Sequence, residues 1–343
     1  MIDLTVLSMA VVAISLFFAF TNGFQDSSAT VATMIACRAA TPKAGVLYSA
    51  AFGFLGAILG GSAVAFTIEG LVLIGSPTLM VQVMLAAVLS ASMWNLITWW
   101  FGLPSSSTHA LVGGLVGGGI AAAGTGSIDW GLDALASGEL VGLTKVLLFL
   151  MLSVAIGFLG GYMMKKFSMV VLRGAKRSIN RPIRRVQFLT TAVLAFSHGA
   201  NDGQKQMGII TIALVAGGVI AVQEIPAWVR VAVAVAIGLG TIGGGWKIMR
   251  TLGRKIFPIK PIDSLDSQIA SSGTILLSTA AGAPVSSTQV VASSVMGVGA
   301  AERVRLVQWS VGKHMMISWL LTIPASAALS ALLFNILRPL LLF

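Results

Sequence analysis

Phe20-Thr21-Asn22-Gly23-Phe24-Gln25-Asp26 and Phe196-Ser197-His198-Gly199-Ala200-Asn201-Asp202 decide how this chain is read. Each places a glycine and an aspartate in the middle of an apolar run, and the two aspartates are 176 positions apart. A second pair of segments recurs at nearly the same spacing. Gly102-Leu103-Pro104-Ser105-Ser106-Ser107-Thr108 matches Gly282-Ala283-Pro284-Val285-Ser286-Ser287-Thr288, 180 positions on. Two motifs repeated in the same order indicate a duplicated unit. One copy occupies 1–164, the other 187–343, and 165–186 joins them.

The rest of the chain says where such a unit lives. Of 343 residues, 56% are hydrophobic and 10% are charged, against about 25% charged in ordinary domains. Mean hydropathy is +0.93. These values exclude a soluble enzyme, a disordered chain and a disulfide scaffold, the last also because Cys37 is the single cysteine. They describe an all-α, polytopic membrane protein with room for roughly ten spans at ~20 residues each. The N-terminal run MIDLTVLSMAVVAISLFFAF has no basic leader region and reads as a retained helix.

Charge then sets topology. Segment 165–186 carries Lys165, Lys166, Arg173, Lys176, Arg177, Arg181, Arg184 and Arg185 with no acid, which places it in the cytoplasm. The net charge of +11 is therefore a topology signal and not a nucleic-acid surface. Counting spans outward puts Arg38 and Lys43 on the same side, together with Arg250, Arg254, Lys255 and Lys260. The N-terminus is then outside. Asp26 falls on an outside-to-inside helix and Asp202 on an inside-to-outside one, so the two repeats are inverted. Inverted repeats with broken helices and helical hairpins around a mid-membrane site are the architecture of secondary transporters. Gly23 and Gly199 are the expected break points.

The duplicated motifs carry the chemistry. A carboxylate in the bilayer costs at least about 2.5 kcal/mol on the most lenient scale, so Asp26 and Asp202 are read as functional. Each can hold a cation, take a coupling proton, or accept a hydrogen bond from a protonated substrate. Pro104 and Pro284 suit a first helical turn. The hydroxyls after them, with free backbone N–H groups, make an anion cradle. An acid beside an oxyanion favours phosphate, which keeps a proton near neutral pH, over sulfate, which does not. Lys205, three residues after Asp202, either neutralises it or meets the anion. His198 can carry a proton or make a helix contact, while His109 and His314 read as structural. Glycines 113–119, Gly56/Gly60 and Gly157/Gly161 suit close helix contact, within one chain or in a homodimer. A serine hydrolase lacks the G-x-S-x-G setting and leaves the duplicated acids unexplained; saturable, gradient-coupled flux would argue against a channel.

Gly199-Ala200-Asn201-Asp202-Gly203-Gln204-Lys205, Asn22-Gly23-Phe24-Gln25-Asp26, Trp94-Asn95-Leu96 and Phe101-Gly102-Leu103-Pro104-Ser105-Ser106-Ser107-Thr108-His109 together resemble the inorganic phosphate transporter (PiT) family, closest to its bacterial low-affinity Pit branch. The resemblance implies a symporter that imports inorganic phosphate, alone or as a metal–phosphate complex. Proton coupling comes first and sodium second, with no covalent cofactor. By position it implies substrate contacts from Gln25, Asp26, Ser106, Ser107, Thr108, Asn201, Asp202, Ser286, Ser287 and Thr288. For the coupling ion the candidates are Asn22, Asp26, Asn201, Asp202, His198 and Lys205. Val285 lacks the hydroxyl that Ser105 has.

Overall fold

The computed structural model describes residues 3–221 and 224–341, so the outer limits of the two repeats, 1 and 343, lie outside the described residues. The first half opens with α1 (Leu4–Gln25), capped by the Asp3 side chain, and continues after a break as α2 (Ser27–Ala36). Thr41 caps α3 (Pro42–Leu59), whose proline sits in the first turn, where no N–H is needed. A short α4 (Ala63–Glu69) precedes a hairpin of α5 (Pro77–Trp100) and α6 (Ser107–Ala123). After the small α7 (Leu132–Ala136), the long α8 (Gly142–Val171) ends the half.

The second half repeats the order. It has a long helix, α9 (Asn180–Ala216), then α10 (Ala227–Gly243) with α11 (Trp246–Arg250). A second hairpin follows, α12 (Pro261–Ala280) and α13 (Ser287–Arg303), and then the long α14 (Trp309–Leu341). Among the described residues there is no strand, only an isolated bridge between Val72 and Ile128.

The halves are interlocked by exchange. α3 packs on α9 while α1 packs on α10, and α8 packs on α13 while α6 packs on α14. Glycines make these contacts close. A Cβ on Gly199 would stand 1.9 Å from the Gly53 carbonyl oxygen, and one on Gly117 would stand 2.0 Å from that of Ala327. Gly56 and Gly161 press on Phe196 and Ser294 in the same way. The glycine faces are thus used inside one chain.

Three expectations change. The first Asp-bearing helix breaks at Asp26 and not at Gly23, which stays helical with its Cα against the Ile237 carbonyl. The second does not break at all: α9 runs unbroken through Gly199 and Asp202. Both glycines serve close helix approach, a demand that looks like a break in sequence. The basic segment 165–186 is mostly the ends of α8 and α9, and only 172–179 connects them.

Among the described residues, five helical stretches are long and apolar enough to cross a membrane: Leu4–Ala36, Pro42–Leu59, Pro77–Trp100, Gly142–Val171 and Trp309–Leu340. The pair Ala227–Gly243 and Trp246–Lys255, bent by 61°, makes a sixth. α9 and α12 are long enough but too polar to be among them, and α13 is shorter; all three bury many polar side chains. Polar helices inside an apolar shell are what a lipid-embedded site requires.

Candidate functional site

Both hairpin tips end in the interior, each beside an aspartate. Ser106 and Ser286 are the N-caps of α6 and α13, and their hydroxyls accept from the backbone N–H of His109 (3.1 Å) and Gln289 (3.4 Å). Pro104 and Pro284 therefore lie ahead of the helices and not in their first turns, a correction to the sequence reading. Capping by Ser106 and Ser286 leaves the next two residues of each helix, Ser107-Thr108 and Ser287-Thr288, to turn their hydroxyls inward.

Around Asp26, 2% exposed, the donors come from both halves. Ser107 Oγ donates to its carboxylate. Asn22 Nδ2 donates to Asp26 Oδ2 (3.1 Å) and to Ser107 Oγ (2.6 Å). Thr288 Oγ1, from the opposite hairpin, donates to Asp26 Oδ1 at 2.9 Å. Gln25 turns away and donates to Thr98 Oγ1 (3.2 Å). Among the described residues no lysine or arginine is paired with Asp26. Asn22 Oδ1, Gln25 Oε1 and Asn95 Oδ1 are among the buried amide oxygens that have no hydrogen-bond partner among those residues.

Asp202, 1% exposed, has the same frame and a different balance. Ser287 Oγ donates to Asp202 Oδ2 at 2.9 Å, as Ser107 does to Asp26. His198, in the place of Asn22, puts Nδ1 2.6 Å from Asp202 Oδ2 and 2.9 Å from Ser287 Oγ. Lys205, in the place of Ala29, is ion-paired with Asp202. Its ammonium also donates to Thr108 Oγ1 and to the Val285 carbonyl, both at 2.6 Å. Lys205 thus neutralises Asp202 and clasps the two hairpin tips together. The Val285 side chain has no hydroxyl to offer, but its carbonyl is a shared acceptor, taking a bond from Thr108 at 3.0 Å as well.

Asn201 holds its own hairpin and faces no open site. Its Nδ2 donates to Thr279 Oγ1 (2.8 Å) and the Ala283 carbonyl (3.1 Å), and its Oδ1 accepts from Val285 N (3.1 Å). The structure therefore gathers Asn22, Asp26, Ser107, Thr108, His198, Asp202, Lys205, Ser287 and Thr288. Gln25, Asn201, Ser106 and Ser286 form the layer that holds them. Sequence reasoning missed Thr98, Thr279 and the His109–Gln289 contact (3.2 Å). His109 and Gln289 are 180 positions apart, the hairpin offset, and that register was the signal available.

A match to the model of the "Phosphate transporter family" covers residues 22–330. The chain belongs to that family. A "probable low-affinity inorganic phosphate transporter" of Bacillus subtilis is 38% identical over 98% of this chain and 98% of its own length. Another so named, from Rhizobium meliloti, is 36% identical over 95% of each chain. A solved structure described as "the sodium-dependent phosphate transporter" superposes with a TM-score of 0.87 at 26% identity, covering 97% of this chain and 99% of that one. This member of the phosphate transporter family is a multi-pass membrane protein and not an enzyme.

Proposed function

We propose that this chain imports inorganic phosphate by alternating access of two inverted halves, with one cation held at Asp26 accompanying each anion. The observation that carries the reading is the crossing of the hairpins: Thr288 of the second half serves Asp26 of the first, while Thr108 of the first meets Lys205 of the second. An ion placed there touches both halves at once, which is what lets occupancy govern their relative motion.

Charge explains the symport. Lys205 is matched by Asp202, so of the two site aspartates Asp26 is the one with no lysine or arginine paired to it among the described residues. A phosphate anion brought beside it needs a cation to accompany it, because like charges in a low-dielectric site repel by several kcal/mol or more. A proton on Asp26 removes the repulsion and turns the carboxyl into a donor. The hydroxyls of Ser107, Ser287, Thr108 and Thr288 can leave the carboxylates and serve the phosphate oxygens instead. A sodium ion is the second reading, supported by the unpartnered Oδ1 of Asn22, whose amide nitrogen already bonds Asp26; carboxylate and amide oxygens suit a hard cation. The excess of basic residues in 165–186 supports a cytoplasmic placement of that face at the inner membrane, with the N-terminus outside.

Uptake of labelled phosphate into proteoliposomes under imposed pH or Na⁺ gradients, with and without Mg²⁺ and with excess sulfate, tests the reading. Asp26→Asn should fold normally, since it orphans no buried base, and should lose gradient-driven uptake. Full gradient-driven uptake by Asp26→Asn would refute the site, and inhibition by sulfate as strong as that by phosphate would reassign the substrate.

A further inference from the structure

Two three-helix seams lead away from the site in opposite directions, and they are built from matching positions of the two halves. Toward the basic face, α2, α9 and α12 pack together. Toward the other face, α1, α5 and the later part of α9 do the same. In the basic-face seam, Gln187 is the hub. Its Oε1 accepts from Cys37 Sγ (3.1 Å) and Ser264 Oγ (3.2 Å), and its Nε2 donates to the Pro261 carbonyl (2.7 Å). One turn deeper, Gln268 Nε2 donates to Thr33 Oγ1 at 3.2 Å. Gln187, Thr191, Ser264, Gln268 and Ser271 are all buried. Between them and the site lies a thin apolar layer of Ala29, Leu194 and Ile275, which share one buried cluster.

The matching positions on the other side read differently. Gln187, Thr191 and Leu194 become Val11, Ser15 and Phe18 on α1. Ser264, Gln268 and Ser271 become Met84, Val88 and Ala91 on α5, and Thr33 and Cys37 become Ile209 and Ala213 on α9. Every one of these except Ser15 belongs to a single apolar cluster. The same frame is therefore sealed with hydrocarbon toward one face and with amides and hydroxyls toward the other. A buried polar network holds helices no better than apolar packing does. What it offers is that water or a passing anion can take over its hydrogen bonds without wetting hydrocarbon. At the mouth of the polar seam, next in the chain to Cys37 and Gln187, a cavity of about 660 Å³ is lined by Arg38, Arg177, Arg181, Arg184 and Arg185. Such a field draws anions outward.

We propose that phosphate leaves the site through the α2–α9–α12 seam, with Leu194 and Ile275 as the inner gate and the arginine-lined cavity as its mouth. This rests on the symport reading above and on the basic face being cytoplasmic.

The native Cys37, the sole cysteine, reports on the path. In inside-out vesicles an impermeant anionic methanethiosulfonate should modify Cys37 and block phosphate flux, and in right-side-out vesicles it should not. Gln268→Leu should slow flux about tenfold, the worth of one hydrogen-bond partner to the passing ion, with binding of labelled phosphate to the detergent-purified protein unchanged. Should Gln268→Leu fold poorly, Ser271→Cys in a Cys37→Ser chain supplies the same sided labelling. A chain that carries phosphate while Cys37 and Ser271→Cys stay unlabelled from the basic face, or in which Gln268→Leu runs at the wild-type rate, overturns the path. Failure of the symport reading looks different: the wild type would not bind phosphate, or Asp26→Asn would retain full uptake, whatever Cys37 does.

Discussion

Asp26 and Asp202 occupy the same place in two copies of one frame, yet they are balanced by different means. Asp202 has a lysine, an imidazole and a serine; Asp26 has two hydroxyls and an amide. Of the substitutions between the copies, two set this difference: Lys205 for Ala29 and His198 for Asn22. The comparison teaches that one local frame can carry two electrostatic solutions, a division of labour that turns on Lys205. Asp202 is tied to Lys205, whereas Asp26 has no lysine or arginine paired with it among the described residues. The comparison breaks most violently at Lys205. Lys205→Ala leaves Asp202 buried beside histidine and serine alone, and Asp202→Asn leaves the ammonium unpaired. Each should cost about 3–5 kcal/mol, the usual penalty for breaking a buried pair. The double change should recover much of that loss, because it removes both charges. Thermal unfolding in detergent measures all three, and a double variant no more stable than the singles would show that the pair is not the cause.

The next effect down is steric. Gly199→Ala forces a methyl to within 1.9 Å of the Gly53 carbonyl, and Gly23→Ala does the same against Ile237 at 2.2 Å. Backbone oxygens cannot swing aside, so α3 and α9, or α1 and α10, must part. Overpacking costs typically about 1–3 kcal/mol, and both variants should lose stability by that order in the same unfolding assay. Equal losses would confirm that the two halves share the packing rule even where their charges differ; a silent Gly199→Ala would mean that α9 slides freely past α3.

Hydroxyl deletions resolve the comparison more finely. Thr288 donates to a carboxylate with no basic partner, and a hydrogen bond to a charged group is worth about 1.5–3 kcal/mol. Thr288→Ala should therefore weaken phosphate-coupled uptake by roughly ten- to a hundredfold. Thr108 accepts from an ammonium that also holds Asp202 and the Val285 carbonyl. Thr108→Ala removes one of that ammonium's partners while Asp202 and the Val285 carbonyl remain, so it should cost only about threefold, less than losing the sole partner of a charged group. Uptake titrated against external phosphate distinguishes the two, and a larger loss at Thr108 would reverse the assignment of roles.

Much of this was legible before any coordinates. The doubled Gly–Asp and Pro–Ser–Ser–Thr segments placed the hydroxyls with the acids, and the run from Lys165 to Arg185 marked one face. What escaped were roles that depend on a neighbour outside the motif. Gly23 and Gly199 looked like hinges because a glycine that permits a turn and one that permits contact read alike. The true break, at Asp26, falls where the carboxylate itself takes bonds from Asn22, Ser107 and Thr288. Lys165 looked like one more loop cation, yet it is buried and paired with Asp263 and Glu302, contacts set by the packing of α8 on the second hairpin. Ser106 and Ser286 looked like ligands, and their geometry spends them as caps.

The smallest expected effect is at His198, and it tests the comparison most sharply. Histidine is the residue whose charge changes near neutral pH, so it is the obvious rival to Asp26 as the proton carrier. His198→Asn restores the residue that the first copy has at this place. Asn22 shows that an amide there can reach both the carboxylate and the hairpin serine, and Asp202 would keep Lys205 and Ser287. Uptake by His198→Asn should stay within about threefold of wild type, because the amide can replace the imidazole's contacts and little net hydrogen bonding is lost, with the same dependence on pH. If the pH dependence flattened while Asp26→Asn still responded to a proton gradient, the coupling group would lie in the second copy, and the division of labour drawn from Lys205 would have to be reversed.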